Sequence, residues 1–236
     1  MATRRITLLV GVLVGWLGSV AFAHGLGLLG TGKPHECAAE LPVIFGRHTA
    51  FSALAHVIEK DPNASAPRTK EMPYYLDGLK LRLEQGAPKS AGSPGTGGDH
   101  WVWIHDFGRQ TSLVLFPALK GYTELGREPS RQPNVAPRIE KVKVGEEAID
   151  GRRCTKYRIT AAEEGGAIEI TTWEAEDVQH FPVQVEVPHG DMTYTVRFSD
   201  VKFRRPSASL FRVPDGYRHY ENLDQLLQAI RERTGR

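Results

Sequence analysis

Lys70-Glu71-Met72-Pro73-Tyr74-Tyr75-Leu76-Asp77-Gly78-Leu79-Lys80-Leu81-Arg82-Leu83-Glu84 is the stretch on which the fold turns. Its second half alternates leucine with charge, the period-two pattern of a strand with one wet face. Asp77-Gly78 between the halves is a favoured two-residue hairpin turn. The stretch therefore predicts an antiparallel strand pair.

The same grammar extends in both directions. Gln85 to Asp99 is rich in glycine, proline and serine, and is expected to be a surface loop because it has too little apolar area to offset the entropy of ordering it. His100 to His105 and Thr111 to Phe116, around Asp106-Phe107-Gly108-Arg109, predict a second hairpin, which Gly121 to Leu125 continues. Gly126 to Pro137 is a polar connection. Ile139 to Val144, Cys154 to Thr160 and Ala167 to Trp173 alternate again, with turns expected at Gly145 to Gly151 and at Gly165-Gly166. Phe181 to Val187 and Met192 to Phe198 flank a turn at Pro188 to Asp191. Upstream, Phe51 to Ile58 is assigned to a strand and Asp61 to Ala66 to a loop. Connections this short leave little room for crossover helices, so the sheet is expected to be antiparallel. The fold class is mainly β with few helices.

One helix closes the chain. Asn222 caps it, with Gln225 three residues on as in a capping box, and Leu223, Leu226, Leu227 and Ile230 form an apolar stripe. The expected partner of that stripe is a face of the sheet.

At the other end, Arg4 and Arg5 precede an apolar run from Ile6 that finishes Ala21-Phe22-Ala23. This is the order of a cleavable secretory signal over residues 1–23. The run is also long enough to leave an uncleaved anchor as the alternative. Cleavage removes two of the 30 basic residues and none of the 28 acidic ones, leaving a balanced chain with no nucleic-acid footprint. The expectation is an exported, soluble module without a stable membrane span. It has a flexible or partly helical segment at 24–50 and a single β domain at 51–233. Two cysteines, Cys37 and Cys154, are compatible with a bridge in an oxidising compartment or with two separate thiols. Alternation puts Cys154 on the strand face of Lys156 and Arg158, opposite Tyr157 and Ile159.

No constellation in the sequence supports an enzyme or a cofactor. His100 and His105 stand five apart, which on a strand sends them to opposite faces. His24 and the His35/Cys37 pair lack the further ligands of a closed metal site. Ser52, Ser112 and Ser199 have no histidine and carboxylate partners legible in the sequence, and no GxSxG elbow or phosphate-cradling loop occurs. Aromatic and aliphatic residues do accumulate on strands whose other faces are charged. Tyr74, Leu81, Trp101, Trp103, Leu113, Leu115, Tyr157, Trp173 and Tyr194 are the candidate lining of an apolar ligand cavity. The alternative is a core filled by these same side chains.

From Phe51 to Leu227 the chain resembles DUF4412-type exported domains and, more distantly, the periplasmic lipoprotein-carrier (LolA/LppX-like) fold. The resemblance is carried by Phe51-Ser52-Ala53, by Met72 to Arg82, by Leu115-Phe116-Pro117-Ala118-Leu119-Lys120-Gly121-Tyr122-Thr123-Glu124 and by Val144 to Tyr157. Trp173, Phe181-Pro182-Val183 and Leu210-Phe211-Arg212-Val213-Pro214-Asp215-Gly216-Tyr217 complete it. It implies a strongly curved antiparallel sheet, a half-open barrel, with helical elements against its concave side. It further implies a lipid or lipoprotein ligand, and it brings no catalytic residues. An envelope protein is the partner under the filled-core alternative.

Overall fold

The computed structural model describes residues 41–60, 63, 65–86, 100–125, 138–163, 166–189 and 192–234. The proposed signal, Cys37 and most of the Gln85 to Asp99 segment lie outside them. In chain order the elements are helix α1 (Leu41–Phe45), β1 (Ala50–Lys60), β2 (Arg68–Asp77), β3 (Lys80–Gln85), β4 (Trp101–Asp106), β5 (Thr111–Phe116) and β6 (Gly121–Leu125). Then come β7 (Arg138–Ile149), β8 (Arg152–Glu163), β9 (Gly166–Ala175), β10 (Phe181–His189), β11 (Met192–Lys202), β12 (Arg218–His219) and helix α2 (Leu223–Thr234).

The twelve strands make one open, curved sheet in the order β12-β6-β5-β4-β3-β2-β1-β11-β10-β9-β8-β7. Neighbours are antiparallel throughout except for the two-residue parallel pairing of β12 with β6. Chain length agrees with the curvature. Ten strand spacings separate β6 from β7, roughly 48 Å along a flat sheet at about 4.8 Å each, and only residues 126–137 join them. The link from Leu125 to Arg138 would need to be almost fully extended, at about 47 Å, to span a flat sheet.

One face carries Phe51, Ala53, Ala55 and Val57 of β1, and every strand from β1 to β5 and from β8 to β11 adds buried residues to the same core. Leu125 on β6 and Ile139 on β7 pack against its two ends. We call this the inner face. At its centre sits Phe45 of α1, with ring centroids 5.0 Å from Phe51, 6.0 Å from Tyr74 and 5.9 Å from both Phe181 and Phe198. A five-residue helix has no autonomous stability, so α1 exists because Phe45 is buried there. Lys141 secures it by donating to the Val43 carbonyl (3.2 Å) and pairing with Glu174.

The outer face carries a second, smaller core. Val102, Ile104 and Leu115 are covered by Phe211, with Leu210 and Tyr217 beside it, so the chain after β11 straps back over β2–β6. Arg82 pins the strap by donating to the Leu210 carbonyl at 2.8 Å. The sequence reading had no second core.

Two turns differ from expectation. Gly145 does not end β7; it pairs with Lys156 just after a bulge at Val144, and the strand runs on to Ile149. The turn is Asp150-Gly151, both at positive φ (47° and 79°), which is the chemistry of a tight two-residue hairpin. In the β2–β3 hairpin, Asp77 pairs with Lys80, so the loop is Gly78-Leu79 and Leu79 is exposed. The alternation holds from Lys80 onward.

Helix α2 packs on β6, the strand next to the short edge strand β12. Leu226 is fully buried, whereas Leu223, Leu227 and Ile230 are only half-buried, so the predicted stripe is not sealed by the sheet. Its start is capped as the sequence indicates, with the Gln225 amide donating to Asn222 Oδ1 at 2.9 Å.

Candidate functional site

Strand register decides which of the nine candidate lining residues share a face. Tyr74, Leu81 and Trp103 are buried in the inner core, and Trp101 and Tyr194 pack against it half-buried. Tyr157 pairs with Thr172 on the inner side, and the Lys141 ammonium lies 4.7 Å from its ring. Leu113 and Leu115 lie on the other side of β5, in the outer core. Trp173 pairs with Lys156, one step out of phase with Tyr157; the Lys156 ammonium lies 4.7 Å from its ring and its indole donates to Glu147 at 2.9 Å. By register six of the nine therefore share the inner face; Leu113 and Leu115 lie on the outer one, and Trp173 is out of phase with the inner face although it is buried in contact with the main core.

The inner face is apolar at its centre and charged towards its limits. Lys141 and Glu174 mark it near β7, and on β1 Glu59 accepts from Lys70 at 3.1 Å. Burial pushes the Tyr194 hydroxyl above its ordinary pKa, and Glu59 adds to the shift. At the β7 end the exposed Glu146 is held at about 2 by hydrogen bonds from Lys143 and Arg153 and by their charges. Lys156 and the Trp173 indole likewise lower Glu147.

His100 and His105 point to opposite faces, and each has found a partner. On the outer face Glu84 lies 3.5 Å from His100 Nε2 and accepts from Arg82 Nε at 2.7 Å. Burial alone would raise the Glu84 carboxyl, but these two neighbours outweigh it and hold it below the ordinary value. Arg82 also binds the Leu210 carbonyl, so the Arg82–Glu84 pair fixes the outer strap. On the inner face His105 Nδ1 and Ser112 Oγ share a 2.8 Å hydrogen bond, and the Trp103 and Phe107 rings lie nearly parallel to the imidazole at 6.4 and 5.8 Å. On the outer face His56 Nε2 likewise lies 2.8 Å from Ser199 Oγ, with Glu71 Oε1 3.7 Å from His56 Nδ1, a serine–histidine–carboxylate line that alternation within single strands does not reveal. Nor does it pair Ser112 with a histidine. The signal was the hairpin register, in which Asp106 faces Thr111 and His105 therefore faces Ser112.

Cys154 faces the same way along β8 as Lys156, but it is fully buried at the strand end beside the turn at Glu176–Val178. Its thiol donates to the Arg152 carbonyl at 3.4 Å, and burial raises it above the ordinary thiol range, which suppresses thiolate chemistry. Among the described residues it is a free cysteine; Cys37 lies outside them. No group of three or more metal-ligating side chains occurs among the described residues.

His48 links α1 to the far side of the sheet. Its Nε2 donates to the Gln179 carbonyl at 3.0 Å, Arg47 donates to the same oxygen at 3.0 Å, and the imidazole stacks on Phe203 at 4.7 Å. Burial depresses its pKa, and the Arg47 charge adds to that, against the hydrogen bond to Gln179. With the folded value below the unfolded one, the unfolded chain takes up the proton first as pH falls. Stability should therefore decline from about pH 6.5 down to the folded value and then level off. Thermal unfolding of wild type and His48→Gln between about pH 8 and 5 checks this. The wild type is expected to lose more Tm over the interval, and parallel curves would remove His48 as the cause.

Comparison with known proteins gives likeness of fold only. No family model matches the chain, the DUF4412-type domain included, and no curated protein matches it. Among solved structures, a LolA superfamily protein from Nitrosomonas europaea is similar at 13% identity, with 75% of this chain and 95% of that one covered and a TM-score of 0.40. A putative outer membrane lipoprotein-sorting protein domain from Vibrio parahaemolyticus gives 15%, 75%, 95% and 0.39. The Mycobacterium tuberculosis lipoprotein LppX gives 16%, 76%, 96% and 0.38. At such identities no residue role passes from these proteins to this chain.

Proposed function

We propose that this is a non-enzymatic protein of the cell envelope, exported and soluble once residues 1–23 are removed, which holds a lipid or the acyl part of a lipoprotein against the inner face of its sheet. The observation that carries the reading is the extent of that face. Its apolar surface is continuous from Leu125 at one end to Ile139 at the other, and the α-helices packed on the sheet among the described residues are α1 and α2. No helix among the described residues is long and apolar enough to cross a membrane. Moving acyl surface from water onto such a face yields about 25 cal/mol per Å² before the cost of ordering the chain. A second reading, a structural or protein-interaction module with a filled core, is favoured by the Phe45 cluster at the centre of the face.

The test is to purify the protein from its native envelope and analyse bound lipid by mass spectrometry, then to titrate it with a fatty acid. Trp101 and Trp103 stand on the inner face and report occupancy by fluorescence. Stoichiometric lipid and a saturable change are expected. Absence of both would leave the filled-core reading.

A further inference from the structure

The inner face of β3–β6 is not uniformly apolar, and its polar atoms are concentrated. Trp103, Val114 and Thr123 stand side by side across β4, β5 and β6, and His105, Ser112 and Leu125 form the next row. Ser112 is thus the diagonal neighbour of both Trp103 and Thr123, within about 7–8 Å backbone to backbone. Trp103 Nε1 and Thr123 Oγ1 are buried and have no hydrogen-bond partner, in residues 3% and 0% exposed. A buried donor left unsatisfied costs about 1–3 kcal/mol, so two in one row call for an explanation.

We infer that these two rows are a recognition point for a neutral hydrogen-bond acceptor, the carbonyl of an ester or amide carried by an otherwise apolar ligand. The inference rests on the reading of the inner face as an apolar-ligand site. An indole N–H can only donate, so the complement of Trp103 is an acceptor. Register disfavours an anion at a pH above the ordinary histidine value, because the inward positions of β3–β6 hold no lysine or arginine and His105 is the single base among them. A carboxylate brought there would be a buried, unpaired charge, whereas a carbonyl costs far less to desolvate than a charge and can regain that cost by accepting two hydrogen bonds. Helix α2 covers the adjoining row, where Leu226 lies over Gly121. This sets the acceptor's place at the β6 end of the face, away from the Phe45 cluster.

Three probes of matched chain length separate the alternatives at about pH 8, above the ordinary histidine value: methyl laurate, laurate and dodecane. Binding is measured by fluorescence and the tryptophan indole protons by 1H–15N correlation spectra, with Trp103→Phe assigning the Trp103 signal. Methyl laurate is expected to bind about 10-fold more tightly than laurate and to move the Trp103 indole proton downfield. Thr123→Val should weaken the ester about 5-fold, leave dodecane unchanged, and give a Tm at or above the parent's, since it deletes an unsatisfied hydroxyl. Dodecane binding as tightly as the ester with the indole proton unmoved would overturn the acceptor site and leave the apolar site standing. Laurate binding more tightly than the ester would overturn the neutral acceptor, and so would an indole proton already at its ester-bound position before any probe is added. If no probe binds, the apolar-ligand reading fails as well.

Discussion

Phe51→Ala is expected to lower the unfolding free energy by about 3–5 kcal/mol. Phe51 is fully buried where β1 meets α1, with its ring 5.6 Å from Tyr74, 4.9 Å from Phe181 and 5.0 Å from Phe45. Removing it takes away the transfer energy of the ring and leaves a hole bordered by aromatic rings that rigid strands prevent from closing. Those strands are β2, β10 and β11, so the loss is felt on both sides of β1. Urea denaturation followed by tryptophan emission measures it. Val142→Ala, at a position 46% exposed on edge strand β7, is the matched control and should stay within about 0.5 kcal/mol of wild type. A loss below about 1 kcal/mol for Phe51→Ala would mean that the aromatic cluster is not the centre of the fold.

Gly121→Val is expected to release the C-terminal helix while the rest of the sheet stays folded. A Cβ at Gly121 would stand 2.8 Å from Tyr220 Cε2, 3.0 Å from Leu226 Cδ1 and 3.3 Å from Leu119 Cδ2. Alanine can be met by small movements of those side-chain ends, at about 1–3 kcal/mol. Valine adds two methyl groups to a space that has none to give. The hydrogen bonds from Arg218 N to the Lys120 carbonyl (2.7 Å) and from Tyr220 N to the Tyr122 carbonyl (2.8 Å) tie β12 down at the same place, so they should fail with the helix. Hydrogen exchange by mass spectrometry should show protection lost over residues 218–234 and kept on β1 and β11. Unchanged protection of α2 would show that Leu226 docks independently of Gly121. The acceptor rows lie beside this helix, so the variant also asks whether α2 controls access to them.

The hairpins were legible because their information is local. Alternation around Asp77-Gly78 and around Phe107-Gly108 predicts β2–β3 and β4–β5, and the Asn222/Gln225 pair predicts the start of α2. What was not legible is long-range or depends on register. The pairing of β1 with β11 joins residues about 140 apart, and nothing in Phe51 to Ile58 points to Met192 to Lys202. Gly145 reads as a turn because glycine stands beside bulges as well as in turns, and only the partner strand tells them apart. Leu113 and Leu115 read as lining with Trp101 and Trp103, although register assigns them to the opposite face. The Ser112–His105 pair is hidden for the same reason. A period-two pattern says which residues share a face, and not which face it is.

The place of β1 in the sheet has a consequence for how the chain reaches this state. Strands β2–β6 and β7–β11 are each built by neighbour-to-neighbour pairing, and the β1–β11 ladder is where the two runs meet. β1 is made first and its partner almost last. During synthesis or export in the N-to-C direction, the β1–β6 half can assemble with the far side of β1 open, offering the backbone groups that later bind β11 and the Phe51 surface that later meets Phe181 and Phe198. That edge is the template to which a second nascent copy would bind. The interval between emergence of β1 and emergence of β11 is therefore the period of greatest exposure to misassembly, and a holding factor that shields an apolar strand edge would act there.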